Sequence, residues 1–494
     1  MCNHPSGGGA WPALAAAFET HFRTSLWAIA LFILAIEAAP HVNAQDLVPE
    51  EDRAPVAAEP VTPWGTEAPA ERQEADGPAT AEEPAAMSAP EEPTEADHPE
   101  VGLIERVTLT GECGMRTKLE ENAIRFGLTT FNDVQTVVSG GLARRTYAPG
   151  LVEATLTLDL DRLFGWCRTL AFFRGLGMYG RDPTEGTGSL NAPSNLANDV
   201  GTTRLFEGWI EPSFFDEKLS IRAGMYAVDT EFDVKETAAV LMNGGFGTGV
   251  DLSQSGRNGP CIYSTSCLGV RVGFRPTPNW YAQVALVDGV AGNPNDPYGT
   301  HVILNRDEGM LTLGEVGYTR GVDEGGFIHA AMGMWYYTRP FDDILQVDAN
   351  GNPQQTFSKP GVYALLESAL YTEQGKPTQG LSAFIRVGMA DQNVNQVQYY
   401  AAGGFAYTGF FPGRDEDVAA LGVSVPINGS RYKTAQELAG SPVRDLEAAI
   451  EATYWVPVLP WLSMQVDAQY IVNPGTDPTI DNALVLGMRT RIVY

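Results

Sequence analysis

From Phe126 to Tyr494 apolar and polar residues alternate with period two, the pattern of strands whose two faces meet unlike surroundings. In Val152, Ala154, Leu156, Leu158 and Leu160 one face is wholly apolar, while Glu153, Thr155, Thr157 and Asp159 form the other. Met464, Val466, Ala468, Tyr470 and Val472 oppose Ser463, Gln465, Asp467 and Gln469, and the last segment sets Leu484, Leu486, Met488, Ile492 and Tyr494 against Arg489 and Arg491. Sixteen such segments start near Phe126, Ala148, Thr169, Thr202, Lys218, Leu268, Asn279, Gly309, Gly326, Pro360, Gly380, Gln396, Glu416, Asp445, Trp461 and Ala483. A tilted strand crosses a bilayer in ~9–11 residues, which these segments supply. Short connections (Phe215–Glu217, Val322–Gly325, Pro457–Pro460) alternate with long ones (Asp182–Asp199, Asp229–Ser266, Asp342–Lys359). That rhythm is the one shown by outer-membrane barrels, whose short turns lie in the periplasm. The pattern predicts an all-β fold: a transmembrane antiparallel β-barrel of about 16 strands over residues 126–494. A soluble all-β protein is the alternative. Against it stand large charged groups on the polar face of strand after strand, aromatics at segment ends (Trp280-Tyr281, Tyr336-Tyr337, Tyr399-Tyr400, Tyr454-Trp455, Trp461) and the terminal aromatic Tyr494.

The start of the chain reads differently. Arg23, the apolar run Leu26–Ile36 and the small-residue site Val42-Asn43-Ala44 predict a signal peptide over residues 1–44; the apolar run is too short to span a bilayer. Residues 45–100 hold 16 Asp+Glu, two Arg, ten Pro and twelve Ala, which predicts a disordered spacer in the periplasm. Residues 101–125 form an N-terminal periplasmic segment with a short helix over Gly114–Asn122, either a partial plug or a cap on the barrel base. The formal net charge of the 494 residues is −29, which excludes a basic nucleic-acid binder. Fourteen of those charges lie in the spacer, so the total says little about what a pore would select.

Several motifs resemble one known family. Thr110–Glu120 followed by Ile124–Leu128, Val138–Leu142 with Arg144-Arg145, Arg204–Glu211 through Phe215-Asp216 and Leu219–Gly224 are similar, in order, to the carbohydrate-selective porins of the OprB family. Asp229–Phe232, Trp335–Thr338 with Phe341–Asp343, Gly409–Arg414 and Gln469–Gly475 continue the resemblance, which runs from Val107 to Tyr494. Cys113 stands where that family usually has Trp, and the acidic spacer is not part of its common pattern. The resemblance implies a single-chain sixteen-stranded barrel for uptake of small sugars, a helix at the periplasmic mouth, and a third long loop, here Asp229–Ser266, folded inward as a constriction.

Pore lining is assigned to the face opposite the apolar parity. Arg222, Arg271, Arg275, Arg386, Arg489 and Arg491 fall inside, as do Glu153, Glu207, Glu211, Glu451 and Asp467. Guanidinium forks and carboxylates suit sugar hydroxyls, though such charges also simply solvate a wet wall. Trp209 and Trp335 share the inward parity and offer flat faces for a sugar ring, or else anchor a rim. Asp229, Glu231 and Asp233 open the constriction loop, as an acidic eyelet or as turn caps. Arg174 shares the parity of Leu170, Phe172 and Leu176, which would turn it toward lipid unless a bulge or a rim intervenes. Cys261 and Cys267 are predicted to pair within one external loop, and Cys113 with Cys167 at the periplasmic rim. No metal site or cofactor is expected. Gly175–Gly180 matches G-x-G-x-x-G but lies in a strand with no helix expected after it, and Asp348–Asn352 lacks the terminal Glu of a calcium loop.

The reading is a non-enzymatic, sugar-selective porin. Its expected partners are small carbohydrates, outer-membrane lipid and the barrel-insertion machinery; nucleic acid is excluded and a homo-oligomer is left open. The alternatives are a general diffusion pore and an outer-membrane anchor tethered through its acidic segment. A barrel lipase is disfavoured, because no G-x-S-x-G occurs and the barrel histidines, His301 and His329, have no recognisable Ser/Asp setting.

Overall fold

Alternating residues on paired strands need two unlike environments, and a sheet rolled until its edges meet supplies both without leaving an unpaired edge. The computed structural model describes residues 115–196, 201–321 and 326–494. The expected signal peptide, the acidic spacer, Cys113 and the Val322–Gly325 turn lie outside them. Sixteen long antiparallel strands close on themselves: β1 Ile124–Ser139, β2 Gly150–Asp159, β3 Thr169–Tyr179, β4 Thr203–Phe214, β5 Leu219–Tyr226, β6 Cys267–Phe274, β7 Trp280–Asp288, β8 Met310–Arg320, β9 Ile328–Tyr337, β10 Gly361–Glu373, β11 Lys376–Met389, β12 Val397–Thr408, β13 Val418–Asn428, β14 Ala448–Leu459, β15 Leu462–Val472 and β16 Ala483–Val493. Each strand pairs with its sequence neighbour, and β1 pairs with β16 from Thr129↔Val493 to Val137↔Val485, which closes the barrel.

The outward face is apolar and bare, with Val134, Val284, Met332, Leu366, Ile385, Val466 and Leu486 all exposed, as a lipid-facing band must be. The aromatic doublets split across the wall. Trp280 and Tyr399 point out while their neighbours Tyr281 and Tyr400 point in, and Trp280 packs edge-on against Tyr318 at 5.3 Å. The helix Met115–Glu121 precedes β1. Leu119 packs with Ile124, Leu156, Leu158 and Phe173, and Arg162 donates to the carbonyl of Glu121 at 2.8 Å, so the helix caps the wall at the short-turn rim.

The interior is not an empty tube. The chain between Tyr226 and Cys267, the third long loop (L3), turns inward and lies against the inner faces of β7–β13. Phe232, Leu252 and Ile262 pack with Leu311, Leu313, Trp335, Tyr363 and Leu365, while Leu241, Phe246 and Val250 pack with Phe384, Tyr400 and Ala420. This corrects the expectation for Arg174. The apolar parity of β3 faces inward because Leu176 and Met178 meet Leu196 of the second loop and Ala227 and Tyr263 of L3. Arg174 is therefore inside, ion-paired with Glu153 and with Glu207 at 3.5 Å, next to a β3–β4 bulge at Phe206. In the fifth loop, Pro340–Val347 and Pro353–Phe357 form a hairpin whose turn is held by Asp348 accepting from the N–H groups of Asn350 (2.8 Å) and Asn352 (2.9 Å). The strand carrying Gly175–Gly180 is followed by a single helical turn, Thr184–Thr187, far too short to hold a pyrophosphate.

Candidate functional site

What narrows the lumen is the seating of L3, and acids on the wall do most of the seating. A buried backbone N–H needs an acceptor, and a carboxylate can serve two at once. Glu367 on β10 accepts from Glu236 N–H (3.0 Å) and Thr237 N–H (2.8 Å), and Glu451 on β14 accepts from Met242 N–H and from Asn243 N–H at 2.8 Å. Glu315 on β8 accepts from Asp233 N–H (3.1 Å) and the Tyr363 hydroxyl (2.6 Å). Glu207 on β4 accepts from Ala227 N–H at 3.2 Å. Glu447 does the same for two other loops, gathering Leu190 and Asn191 N–H of the second at 2.7 and 2.9 Å and Gly475 N–H of the last at 2.7 Å. The central tie is ionic. Arg386 on β11, 0% exposed, reaches Asp233 at 3.1 Å and also pairs with Asp251, while Lys235 meets Asp233 at 2.8 Å. Burial would raise the Asp233 carboxyl, but Arg386 and Lys235 hold it below the ordinary range. Asp251 lies above that range because burial outweighs Arg386, and burial lifts Asp229 to about 7.

A second charge cluster lies at the edge of L3 on β4–β6. Glu211 accepts from Arg222 at 2.7 Å and from Arg271 at 3.1 Å, and Glu231 of L3 accepts from Arg271 Nε at 3.0 Å. Two guanidinium groups and two carboxylates thus form one neutral ring of donors and acceptors, in which Arg271 is buried (5% exposed) and Arg222, Glu211 and Glu231 are partly exposed (12, 16 and 14%). Beyond L3 toward the short-turn rim, a cavity of about 520 Å³ opens between Glu236 and Thr237 of L3 and the wall residues Phe131, Trp455, Gln465 and Arg491.

Residues 144–494 match the family model described as "Carbohydrate-selective porin, OprB family". The chain belongs to this family. It is 25% identical over 414 residues to Porin B of Pseudomonas aeruginosa, covering 77% of this chain and 90% of that protein. The high-pH structure of Pseudomonas putida OprB superposes with a TM-score of 0.71 at 23% identity, covering 78% of this chain and 98% of that one, which shows the shared fold. As a member of a carbohydrate-selective porin family, the chain is a sugar porin of the outer membrane.

In this porin the inward parity places the expected arginines and acids inside the barrel, but L3 decides which of them meet water. Arg386, Glu207, Glu451 and Asp233 do not line a pore: each is buried and bound to L3 or its neighbours. Asp229 is likewise no eyelet group, since its carboxyl is buried and accepts from Tyr263 N–H at 3.3 Å. Asp467 is covered and accepts from Gln469 at 2.8 Å, and Glu153 serves Arg174. Arg489 forks onto Asp133 at 2.7 Å and reaches Asn195 of the second loop at 2.7 Å. Neither candidate Trp offers a free ring: Arg222 lies 3.7 Å from the centre of Trp209 with Phe172 stacked at 5.1 Å, and Trp335 is buried under L3. Arg222, Arg271, Glu211 and Glu231 form the lumen-edge cluster, Arg275 lies 5.5 Å from the Tyr281 ring, and Arg491 faces the cavity.

Cys261 and Cys267 are joined, with Cα atoms 5.5 Å apart, pinning the base of L3. Cys167 is also disulfide-bonded, and its expected partner Cys113 lies outside the described residues. Glu315, Glu367, Asp251, Glu236 and Trp455 also face the interior, and the alternation of apolar and polar residues does not single them out. Glu315 and Glu367 carried a readable signal, because each follows apolar residues of its own parity (Leu311 and Leu313; Tyr363 and Leu365), where a lone acid needs a buried donor. Trp455, which the doublet Tyr454-Trp455 places at the membrane interface, instead points inward opposite Gln465.

Proposed function

We propose that the porin passes small neutral sugars down their gradient, and that the Arg222, Arg271, Glu211 and Glu231 cluster at the edge of L3 is where hydroxyls are read. The observation that supports this is the cluster's balance: it offers hydrogen bonds of both kinds with no net charge, so it favours a polyhydroxylated neutral solute over either sign of ion. On the same reading, residues 45–100 hang in the periplasm as an acidic spacer, and outer-membrane lipid and the insertion machinery are the partners of the wall. Single-channel recording with D-glucose as blocker tests the cluster. Arg222→Gln is expected to weaken glucose block about tenfold, the size of one hydrogen bond to a charged group. Block of unchanged strength would remove the cluster from sugar recognition.

A further inference from the structure

Not every group that could bind a sugar is taken up by L3. On the periplasmic side of the loop the wall carries two adjacent inward rows: Trp455, Gln465 and Arg489 lie side by side across β14–β16, and one step nearer the short-turn rim Ser463, Arg491 and Phe131 do the same across β15, β16 and β1. These rows floor the cavity of about 520 Å³, a size within the range of about 300–1,000 Å³ typical of small-molecule pockets. Some of the groups facing it are taken, since Gln465 donates to the Val240 carbonyl and the Thr453 hydroxyl and Arg489 is paired with Asp133; others are not. Arg491 has no ion pair among the described residues; its guanidinium sits 5.6 Å from the Phe131 ring and its Nε lacks a hydrogen bond. Gln379 Oε1, on a side chain only 7% exposed, has no donor, and Glu236 is exposed on the facing edge of L3. Trp455 is half-buried and faces this space, in contrast to the covered rings of Trp209 and Trp335.

We propose that this cavity is a second sugar station on the periplasmic side of the constriction, in which a pyranose ring stacks on Trp455 while Arg491 donates to its hydroxyls and Glu236 and Gln379 accept from them. A ring with an apolar face and a hydroxyl edge is the neutral solute that matches an indole plane beside unpaired donors and acceptors. The station rests on the sugar reading above but uses none of the residues of the β4–β6 cluster. It gives the pore two successive weak sites, so that a sugar leaving the constriction is held once more before the periplasm.

Oriented single channels in planar bilayers test it, with D-glucose and the acyclic D-mannitol as probes added to one side at a time. Trp455→Ala is expected to shorten glucose dwell times from the periplasmic side about fivefold, the scale of one aromatic contact, and to leave mannitol events and block from the extracellular side as they are. Trp455→Phe should keep most of the dwell, and Arg491→Gln, which removes no ion pair, should shorten it about tenfold. Unchanged periplasmic-side glucose dwell in Trp455→Ala and Arg491→Gln, with extracellular block intact, overturns the station and leaves the constriction cluster standing. Absence of glucose block from both sides in the unaltered porin overturns both.

Discussion

Arg386 has no contact with water, and a guanidinium so placed persists because Asp233 and Asp251 face it and its hydrogen bonds are charge-assisted. Replacing it with Met would leave two carboxylates buried side by side, a loss of about 3–5 kcal/mol. The expected result is L3 released from β11, seen as protease cleavage within Asp229–Ser266 and a larger single-channel conductance. Gly388 and Gly249 flank this tie, and a Cβ on either would collide with Asp251 or Arg386. Gly388→Ala should therefore reproduce the Arg386→Met phenotype in weaker form, while the same change at the open Gly375 should be silent apart from its left-handed backbone. At this scale period two shows which residues share a face, not always which face is inside: the apolar parity carrying Arg174 turns inward because Leu176 and Met178 meet two long loops. Nor does it show which inward groups are free, because the cover over Arg386, Glu207 and Glu451 comes from a loop far away in the chain.

L3 as an element is held by hydrogen bonds from its own backbone to acids of the wall, and its position should answer to them one by one. Glu451→Ala strands the N–H groups of Met242 and Asn243, each worth about 1–3 kcal/mol when buried without a partner. Hydrogen exchange at those two amides should accelerate at least tenfold while the strands stay protected. The loop's pH response has a definite sign. Asp229 sits at about 7 because burial raises it, so the folded loop binds a proton there that the released loop gives up. Its contribution to seating is complete below the ordinary carboxylate range and is lost as pH rises through about 7. Asp233 is held low, so its contribution persists until pH falls below the ordinary range. Exchange protection around Asp229 and Tyr263, corrected for intrinsic rates, should rise from pH 8 to pH 5; a fall would contradict the assignment. The strands and long loops were legible because their patterns are local. The inward fold of L3 came from family resemblance alone, since its apolar residues (Phe232, Leu241, Phe246, Leu252) follow no simple period.

Over the whole molecule the wall and its contents divide the work. The outward band supplies the lipid surface, the closed β1–β16 seam removes the sheet edge, and L3 converts a wide tube into a narrow one. Fourteen of the 29 net negative charges lie in residues 45–100, outside the barrel, so deletion of Asp46–His98 should leave conductance and ion preference unchanged in reconstituted channels. Within the barrel many acids are neutralised by Arg386, Arg174, Arg271 and Arg489 or spent on backbone N–H groups, which is why a net negative chain need not make a cation pore. Sugar selectivity is the central claim, and liposome swelling tests it most directly. Proteoliposomes should swell faster in D-glucose than in neutral amino acids of matched size, and the advantage should shrink in Arg222→Gln. Rates that scale with solute size alone, sugar or not, would contradict it.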